Sequence, residues 1–302
     1  MRIKQKCAGA LNRVIKESFG FWQRIGIHVT PNNFYEPIPD TTSLKDKLWS
    51  EHSQLVGINM NDQRQLELLS MFNIEFKDEY QRFPRERTRV RCEYFINNGV
   101  FESVDGEILY CMVRKFKPKL ILEIGSGFST FLSANAVIRN KECKSECELV
   151  SIEPYPNEIL QAGFQGLTKL IPQKVQEVPF STFEELQEND ILFIDSSHVL
   201  KIGSDVQYEY LEILPRLNKG VIIHVHDIFL PKEYPRKWVL KNHIFWNEQY
   251  LLQAFLSFNE SFEVLWAGNY IHSKYPDKLE FAFGSYDRNR SRPGSFWLRK
   301  IK

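Results

Sequence analysis

Two short stretches of the chain combine histidine and aspartate at spacings that suit acid–base chemistry. Asp195 ends an apolar run, and His198 follows three residues later. His224 and His226 alternate, so on a strand they point to the same face, and Asp227 follows directly. An imidazole titrates near neutral pH and can take a proton from a hydroxyl group, while a neighbouring carboxylate orients the ring. We expect His224 to be a core residue. The other four side chains, Asp195, His198, His226 and Asp227, are the candidates for acid–base catalysis.

A glycine turn precedes both stretches and has the form of a nucleotide-binding turn. Leu120–Ile124 is a short apolar run, which predicts a strand buried on both faces. Gly125 and Gly127 follow, and Phe128–Ile138 has helical spacing. Glycines let the backbone pass close to a ligand, and a helix N-terminus offers unpaired N–H groups. A tight turn without any ligand explains the two glycines equally well.

A carboxylate at the end of the next predicted strand makes the nucleotide site more specific. The run Glu148–Glu153 predicts a strand that ends in Glu153. In nucleotide-binding α/β folds, a carboxylate in this place accepts hydrogen bonds from a ribose diol. Thr130 stands where a dinucleotide motif has its third glycine, and Glu153 lies beyond the usual offset of about 20 residues. The spacing therefore disfavours a nicotinamide-dependent oxidoreductase, which we keep as an alternative.

These motifs together resemble a known family. Glu123–Gly127 followed by Glu153 resembles motif I and the next acidic position of class I S-adenosylmethionine-dependent methyltransferases. The stretches that end at His198 and Phe229 look like the fourth- and fifth-strand signatures of one branch, the small-molecule and sugar enzymes of methyltransferase family 24. The resemblance covers roughly residues 105 to 301 and implies S-adenosyl-L-methionine as the cofactor.

The resemblance also implies a role for each candidate residue. Motif I should lie near the methionine part of the cofactor, and the acid of the second strand should bind the ribose. The implied cofactor-binding residues are Glu123, Gly125, Ser126, Gly127, Ser129, Glu153 and Asp195. The implied catalytic residues on the acceptor side are His226, Asp227, Asp195 and His198.

The sequence leaves open whether this site binds a magnesium ion. In metal-dependent relatives, an acid at the end of the fourth strand and an adjacent pair at the end of the fifth hold the ion. Those positions fall on Asp195, His226 and Asp227. Magnesium prefers oxygen ligands, so the imidazole of His226 favours a metal-free His–Asp base over a bound ion.

The order of predicted elements indicates an α/β fold with a doubly wound, Rossmann-like sheet. Apolar strands alternate with helices from residue 105 to the end, and ligands collect at the carboxyl ends of such strands. We expect residues 105–302 to form the methyltransferase domain and residues 1–104 to form a helical cap on the substrate side. Within the domain, we expect a third strand near Lys174–Val178 and an N-cap at Asp105 for the helix Gly106–Lys117.

Composition narrows the class of protein. The chain has 302 residues, 43% hydrophobic and 25% charged, with a net charge of +1. That balance does not predict a nucleic-acid or membrane surface. Met1–Cys7 is basic, but no apolar segment of a secretory signal follows. The five scattered cysteines suit reduced thiols, so we expect a cytoplasmic protein of open oligomeric state.

The sequence predicts only the chemical class of the methyl acceptor. A hydroxyl of a sugar, a glycan or a small metabolite fits an aromatic cleft, and O-methylation of such a group is the favoured reaction. Arg85, Arg87, Arg89 and Arg91 alternate along the chain and would face one side of an extended segment, as a clamp for an anionic acceptor. A solvated basic edge is the other interpretation. A binding protein that keeps the cofactor pocket without turnover is the alternative to an enzyme.

Overall fold

The computed structural model describes residues 2–33 and 35–302, and gives only the backbone for residues 2–12. Contacts divide the chain into two compact units. One consists of the residues up to Glu51 together with Pro235–Phe245, and the other of His52–Tyr234 together with Trp246–Lys302. The predicted domains, 1–104 and 105–302, stay a prediction, and the contacts place residues 52–104 in the unit that contains the sheet.

The smaller unit contains three helices within the described residues. They are α1 (Arg2–Arg24), α2 (Lys47–Ser50) and α10 (Arg236–Leu240). The longest of the three is α1, with 23 residues. Arg236 joins two segments of this unit, because its Nη2 lies 3.0 Å from Oδ1 of Asp46 and its guanidinium stacks on Trp49.

The larger unit is built on one seven-stranded sheet. Its order is β3-β2-β1-β4-β5-β7-β6, parallel throughout except that β7 runs antiparallel to both of its neighbours. The strands are β1 (Leu120–Ile124), β2 (Glu148–Ile152), β3 (Lys169–Ile171), β4 (Ile191–Ile194), β5 (Ile222–Val225), β6 (Phe262–Ala267) and β7 (Phe296–Lys300). The predicted doubly wound α/β class is confirmed.

Helices cover both faces of the sheet, so the central strands are buried on both sides. Along β1, Ile121 packs into one apolar core, while Leu122 and Ile124 pack into the other, as the period of two requires. The helices of this unit are α3 (Asp62–Glu75), α4 (Lys77–Tyr80), α5 (Asp105–Phe116), α6 (Phe128–Glu142), α7 (Glu158–Ala162), α8 (Ser181–Glu184), α9 (Asp205–Tyr208), α11 (Glu248–Leu256), α12 (Gly268–Lys274) and α13 (Pro276–Ala282). A π-helical turn, Glu209–Ile213, continues α9.

The third strand lies earlier in the chain than predicted. It is Lys169–Ile171, paired with β2, whereas Val175–Glu177 forms a 3₁₀ turn. The strand that we expected near Lys174–Val178 is therefore wrong. Pro172 follows Ile171 directly and has no N–H group, so the short edge strand ends there.

Asp105 does not cap the helix that it begins. Its Oδ2 accepts a hydrogen bond from the backbone N–H of Gly294 at 2.8 Å, and its Oδ1 accepts one from Ser295 at 3.0 Å. The carboxylate thus joins the start of α5 to the segment that leads into β7. Sequence position alone made the N-cap the natural prediction, but the tertiary partners take both oxygens.

The segment Arg85–Arg91 is irregular, not the extended run that the alternation predicted. Its arginines consequently have different surroundings. Arg85 donates from Nη2 to the carbonyl of Gly284 at 3.0 Å, whereas Arg87 and Arg91 line a cavity. All four arginines are exposed, and Arg89 does not line that cavity. Elsewhere, none of the helices described is both long and apolar enough to cross a membrane.

A buried ion pair joins three helices behind the sheet. Glu79 in α4 accepts two hydrogen bonds from Arg114 in α5, at 2.9 and 3.0 Å, and a third from the hydroxyl of Tyr110. Arg114 also donates to Asn140 in α6. Burial opposes the charge of Glu79, but Arg114 and Tyr110 outweigh it and hold the pKa of Glu79 below its ordinary value.

We expect Glu79→Gln to lower the free energy of unfolding at pH 7 by about 3 kcal/mol, because the buried guanidinium of Arg114 loses its counter-charge. The difference from the wild type should shrink as the pH falls through the lowered pKa of Glu79, where the wild type also loses its carboxylate. Urea denaturation measures both effects. Glu75→Gln is the control, because its pair with Lys115 is exposed and should contribute less than about 1 kcal/mol. Equal losses in the two variants would contradict this account.

Candidate active site

The turn after β1 passes so close to β4 that only glycine fits. Gly125 has φ +81°, and a Cβ atom there would lie 1.9 Å from the carbonyl oxygen of Asp195. The Gly125 N–H donates to the carbonyl of Ile152 at 3.0 Å, and the Asp195 N–H donates to that of Ile124 at 2.9 Å. The carboxyl ends of β1, β2 and β4 are therefore held together at one point.

Glu123 lies beneath this turn and is fully buried. Its Oε1 accepts a hydrogen bond from Ser129 at 2.7 Å, and its Oε2 has no hydrogen-bond partner within the residues described. Burial raises the pKa of Glu123 to about 8, against the opposing effect of the Thr130 and Ser129 hydroxyls. A buried acceptor atom without a partner is suited to a donor group from a ligand.

A cavity of about 470 Å³ opens beside the turn, at the carboxyl ends of β1, β2 and β4. Gly125, Glu153 and Asp195 line it, together with Tyr155 and Ser197. Glu153 is half-buried, and its Oε1 accepts the Tyr155 N–H at 2.8 Å. That bond orients the carboxylate in the wall of the cavity.

The other predicted cofactor residues lie around this cavity without lining it. The hydroxyl of Ser126 bonds to that of Ser151, and Ser129 supports Glu123 from below. Gly127 begins α6 and lines a second cavity, of about 390 Å³. These three positions, like Glu123, shape the turn, and their contact with a cofactor stays a prediction.

The acid–base residues meet where β4 and β5 end. The ring of His198 has Nδ1 2.8 Å from Oε2 of Glu248, and Nε2 3.3 Å from Oδ1 of Asp195 and 3.9 Å from Oδ2 of Asp227. Burial would lower the pKa of His198, but Asp195 and Glu248 outweigh it and raise that pKa well above its ordinary value. The two carboxylates therefore favour the imidazolium form of His198.

The two aspartates differ in basicity. Burial would raise the pKa of Asp195, but His226 and His198 outweigh it and bring that pKa to about 2. For Asp227 burial prevails over the same two histidines, so its pKa lies above the ordinary value. Asp227 is the stronger base of the pair and remains partly exposed, at 19% of its side chain.

The two histidines of β5 and its end have different environments. His224 is fully buried between Phe193 and Trp297, with ring centroids at 3.9 and 4.7 Å, and burial lowers its pKa well below the ordinary value. His226 lies 3.8 Å from Asp227, between Nε2 and Oδ1. Burial would lower the pKa of His226, but Asp227 and Asp195 raise it overall. The structure thus has His224 as a neutral core residue and His226 in the acid–base cluster.

Sequence reasoning put Glu248 at the start of a helix that could reach the acceptor, but it did not place Glu248 beside His198. It is fully buried at the start of α11, yet a glutamate in the first turn of a helix is ordinarily exposed and stabilised by the helix dipole. Glu209 is equally buried and accepts a hydrogen bond from Ser196 at 3.1 Å. No local signal pairs either residue with its partner, because Ser196 and His198 are 13 and 50 residues away along the chain.

The donor set suits magnesium poorly. Of the predicted ligands Asp195, His226 and Asp227, one offers a nitrogen, and magnesium prefers oxygen. In the portion of the chain that the structure describes, no three side chains of His, Cys, Asp or Glu are arranged to hold a metal ion.

The sheet order with one antiparallel strand, and the glycine turn beside a diol-type carboxylate, define a class I S-adenosylmethionine-dependent methyltransferase. Sequence comparison agrees. The methyltransferase-domain model of methyltransferase family 24 matches residues 122–228. An uncharacterized protein of Archaeoglobus fulgidus is 32% identical over 176 residues, which are 56% of this chain and 78% of that protein. The chain belongs to methyltransferase family 24.

Solved structures give only distant matches. An apo structure of CmcI is 15% identical, with a TM-score of 0.40, and the match covers 74% of this chain and 84% of that one. An O-methyltransferase from Bacillus cereus in complex with SAH is 12% identical, with a TM-score of 0.36 and coverage of 95% and 100%. The family assignment rests on the sequence matches and not on these structures.

S-adenosyl-L-methionine is the cofactor of this family, and the site fits it. The cradle at Gly125 would be filled by a Cβ atom, and Glu153 lines the same cavity with a carboxylate that suits a ribose. The nicotinamide-dependent alternative is wrong, because the family transfers methyl groups.

We expect Glu153→Ala to weaken binding of S-adenosylhomocysteine about 10- to 100-fold, because a carboxylate that accepts from both ribose hydroxyls is lost. Isothermal titration calorimetry measures the change. Glu148→Ala is the control, since Glu148 lies on the same strand but is exposed at its other end. An unchanged affinity in the Glu153 variant would remove this residue from the ribose site.

Proposed function

We propose that the protein transfers a methyl group from S-adenosylmethionine to a hydroxyl of a small molecule, such as a sugar, a glycan end or another metabolite. The observation that carries the proposal is the position of Asp227. It follows the end of β5, its side chain is partly exposed, and its oxygens lie 3.8 Å from His226 and 3.9 Å from His198. A carboxylate with a raised pKa at this point can take the proton that a hydroxyl must lose.

Each residue of the cluster has a distinct part in this proposal. The cofactor supplies an already activated methyl group, so the protein must align the acceptor and remove its proton. Asp227 accepts that proton, and His226 beside it stabilises and orients the carboxylate. Asp195 stays ionised and, with Glu248, holds His198 as a fixed cation between β4 and α11.

We also propose that the protein is located in the cytoplasm. Cys92, Cys111, Cys143 and Cys147 are all free thiols among the residues whose side chains are described. Free thiols are typical of a reducing compartment. They support the location that the odd cysteine count predicts.

We expect Asp227→Asn to lower kcat about 10²- to 10⁴-fold while the affinity for S-adenosylhomocysteine changes little, because the lost base acts on the acceptor and not on the cofactor. Transfer of radiolabelled methyl to a panel of sugars, glycan ends and alcohols measures the rate. Asp277→Asn is a matched control at an exposed position on α13. Cofactor binding without turnover on any acceptor would favour the non-catalytic alternative.

Treatment with a chelator distinguishes a metal-free mechanism from one in which the site binds Mg²⁺. We expect EDTA to leave the rate unchanged, because the proton moves to Asp227 without a metal. The activity of the EDTA-treated enzyme, before and after addition of Mg²⁺, is the measurement. Complete inhibition that Mg²⁺ reverses would instead make Asp195, His226 and Asp227 metal ligands.

A further inference from the structure

Two cavities of opposite charge flank the glycine turn. The first, which contains Glu153 and Asp195, has one more acid than base among the side chains that line it. The second lies at the start of α6, against Gly127 and Phe128, and has Arg87 and Arg91 in its wall. Gly125 lines the first cavity and Gly127 the second, so the two open on either side of the same turn.

Arg87 and Arg91 have no internal partner. In the described part of the chain, neither donates a hydrogen bond or forms an ion pair, whereas Arg85 is bonded to the carbonyl of Gly284. The single acid that lines this cavity is Glu93, and its carboxylate already accepts a hydrogen bond from Thr88. Two guanidiniums are therefore available to a ligand.

The walls around the two arginines are aromatic. The ring of Phe95 packs edge-on against Phe128 with centroids at 5.2 Å, and Phe128 packs likewise against Phe131 at 6.0 Å. An apolar wall lowers the local dielectric constant, so a charge pair in front of it is stronger than one in open water. Planar guanidiniums match carboxylate and phosphate oxygens with two parallel hydrogen bonds.

We propose that the Arg87–Arg91 cavity is a binding site for an oxyanion, a carboxylate or a phosphate, carried by a ligand of the methyl-transfer site. Two sources have this chemistry. One is the carboxylate at the methionine end of the cofactor, because motif I approaches that end and Gly127 lines the cavity. The other is an anionic group on the acceptor, and this source rests on the proposed function.

Calorimetry on the full-length protein tests the site and separates the sources. The variant is the double substitution Arg87→Gln with Arg91→Gln. The probes are S-adenosylhomocysteine, 5′-methylthioadenosine, which lacks the amino and carboxyl groups, and inorganic phosphate added to protein saturated with S-adenosylhomocysteine. If the cofactor supplies the anion, the affinity for S-adenosylhomocysteine falls about 10- to 100-fold and that for 5′-methylthioadenosine is unchanged. If the acceptor supplies it, only phosphate binding is lost.

Two further variants serve as controls. Arg89→Gln removes an equal charge from the same segment but outside the cavity, and should bind all three probes as the wild type does. Arg87→Lys with Arg91→Lys keeps the charge and should retain part of the affinity, which separates recognition of an anion from damage to the fold. The proposal is overturned if no probe binds more weakly to the Gln variant, if 5′-methylthioadenosine loses as much as S-adenosylhomocysteine, or if Arg89→Gln has the same effect.

An experiment can contradict the proposed function without contradicting the oxyanion site. Wild-type protein that binds S-adenosylhomocysteine through the two arginines but methylates no acceptor would contradict O-methylation and leave the oxyanion site in place.

Discussion

The close approach of Gly125 to the backbone of Asp195 is the constraint on which the rest of the site depends. With a Cβ atom at 1.9 Å from a carbonyl oxygen, any side chain at this position would force β1 and β4 apart. Both residues of this contact line the cavity of about 470 Å³, and Asp195 directly follows β4. Because Asp195 and His198 follow that end directly, the cofactor pocket and the acid–base cluster are positioned by one turn.

Burial has opposite consequences for the ionisable groups of this site, depending on their partners. His224 and His198 are both almost completely enclosed, yet the pKa of His224 is lowered and that of His198 is raised. His224 is surrounded by aromatic rings and bonded to the hydroxyl of Ser295, which does not stabilise a cation. His198 lies between the carboxylates of Asp195 and Glu248, and paired charges can outweigh the desolvation penalty. The same balance between burial and neighbouring charges places the pKa of Asp195 below its ordinary value and that of Asp227 above it.

Segments outside the matched methyltransferase domain supply much of the site. The family match ends at residue 228, but Glu248 comes from α11, and the carboxylate of Asp105 organises the segment that leads into β7. Arg87 and Arg91 precede the domain and reach the start of α6. The family match therefore contains the glycine turn and the carboxyl ends of β1, β2, β4 and β5, while Asp105, Glu248 and the two arginines lie outside it. That division is typical of folds whose scaffold is common and whose loops set specificity.

Much of the fold could be predicted from the sequence because its signals are local. The run Leu120–Ile124, apolar except for Glu123, predicts a buried strand with the observed bounds, since a strand covered on both faces is mostly apolar. The glycine turn and the acid after β2 predict the cofactor. The third strand was misplaced because it has only three residues, too few to carry a period, and it lies at the sheet edge.

Only the tertiary structure decided the protonation and the partners of the site residues. Glu248 lies 50 residues from His198, and Asp105 about 190 from the backbone that it binds, so neither contact has a local signature. The four alternating arginines looked equivalent in sequence, yet one bonds a carbonyl and two line a cavity, because the chain bends there. Residue types thus determined which chemistry is available, whereas burial and long-range pairing, which exist only in the folded chain, determined which groups are charged.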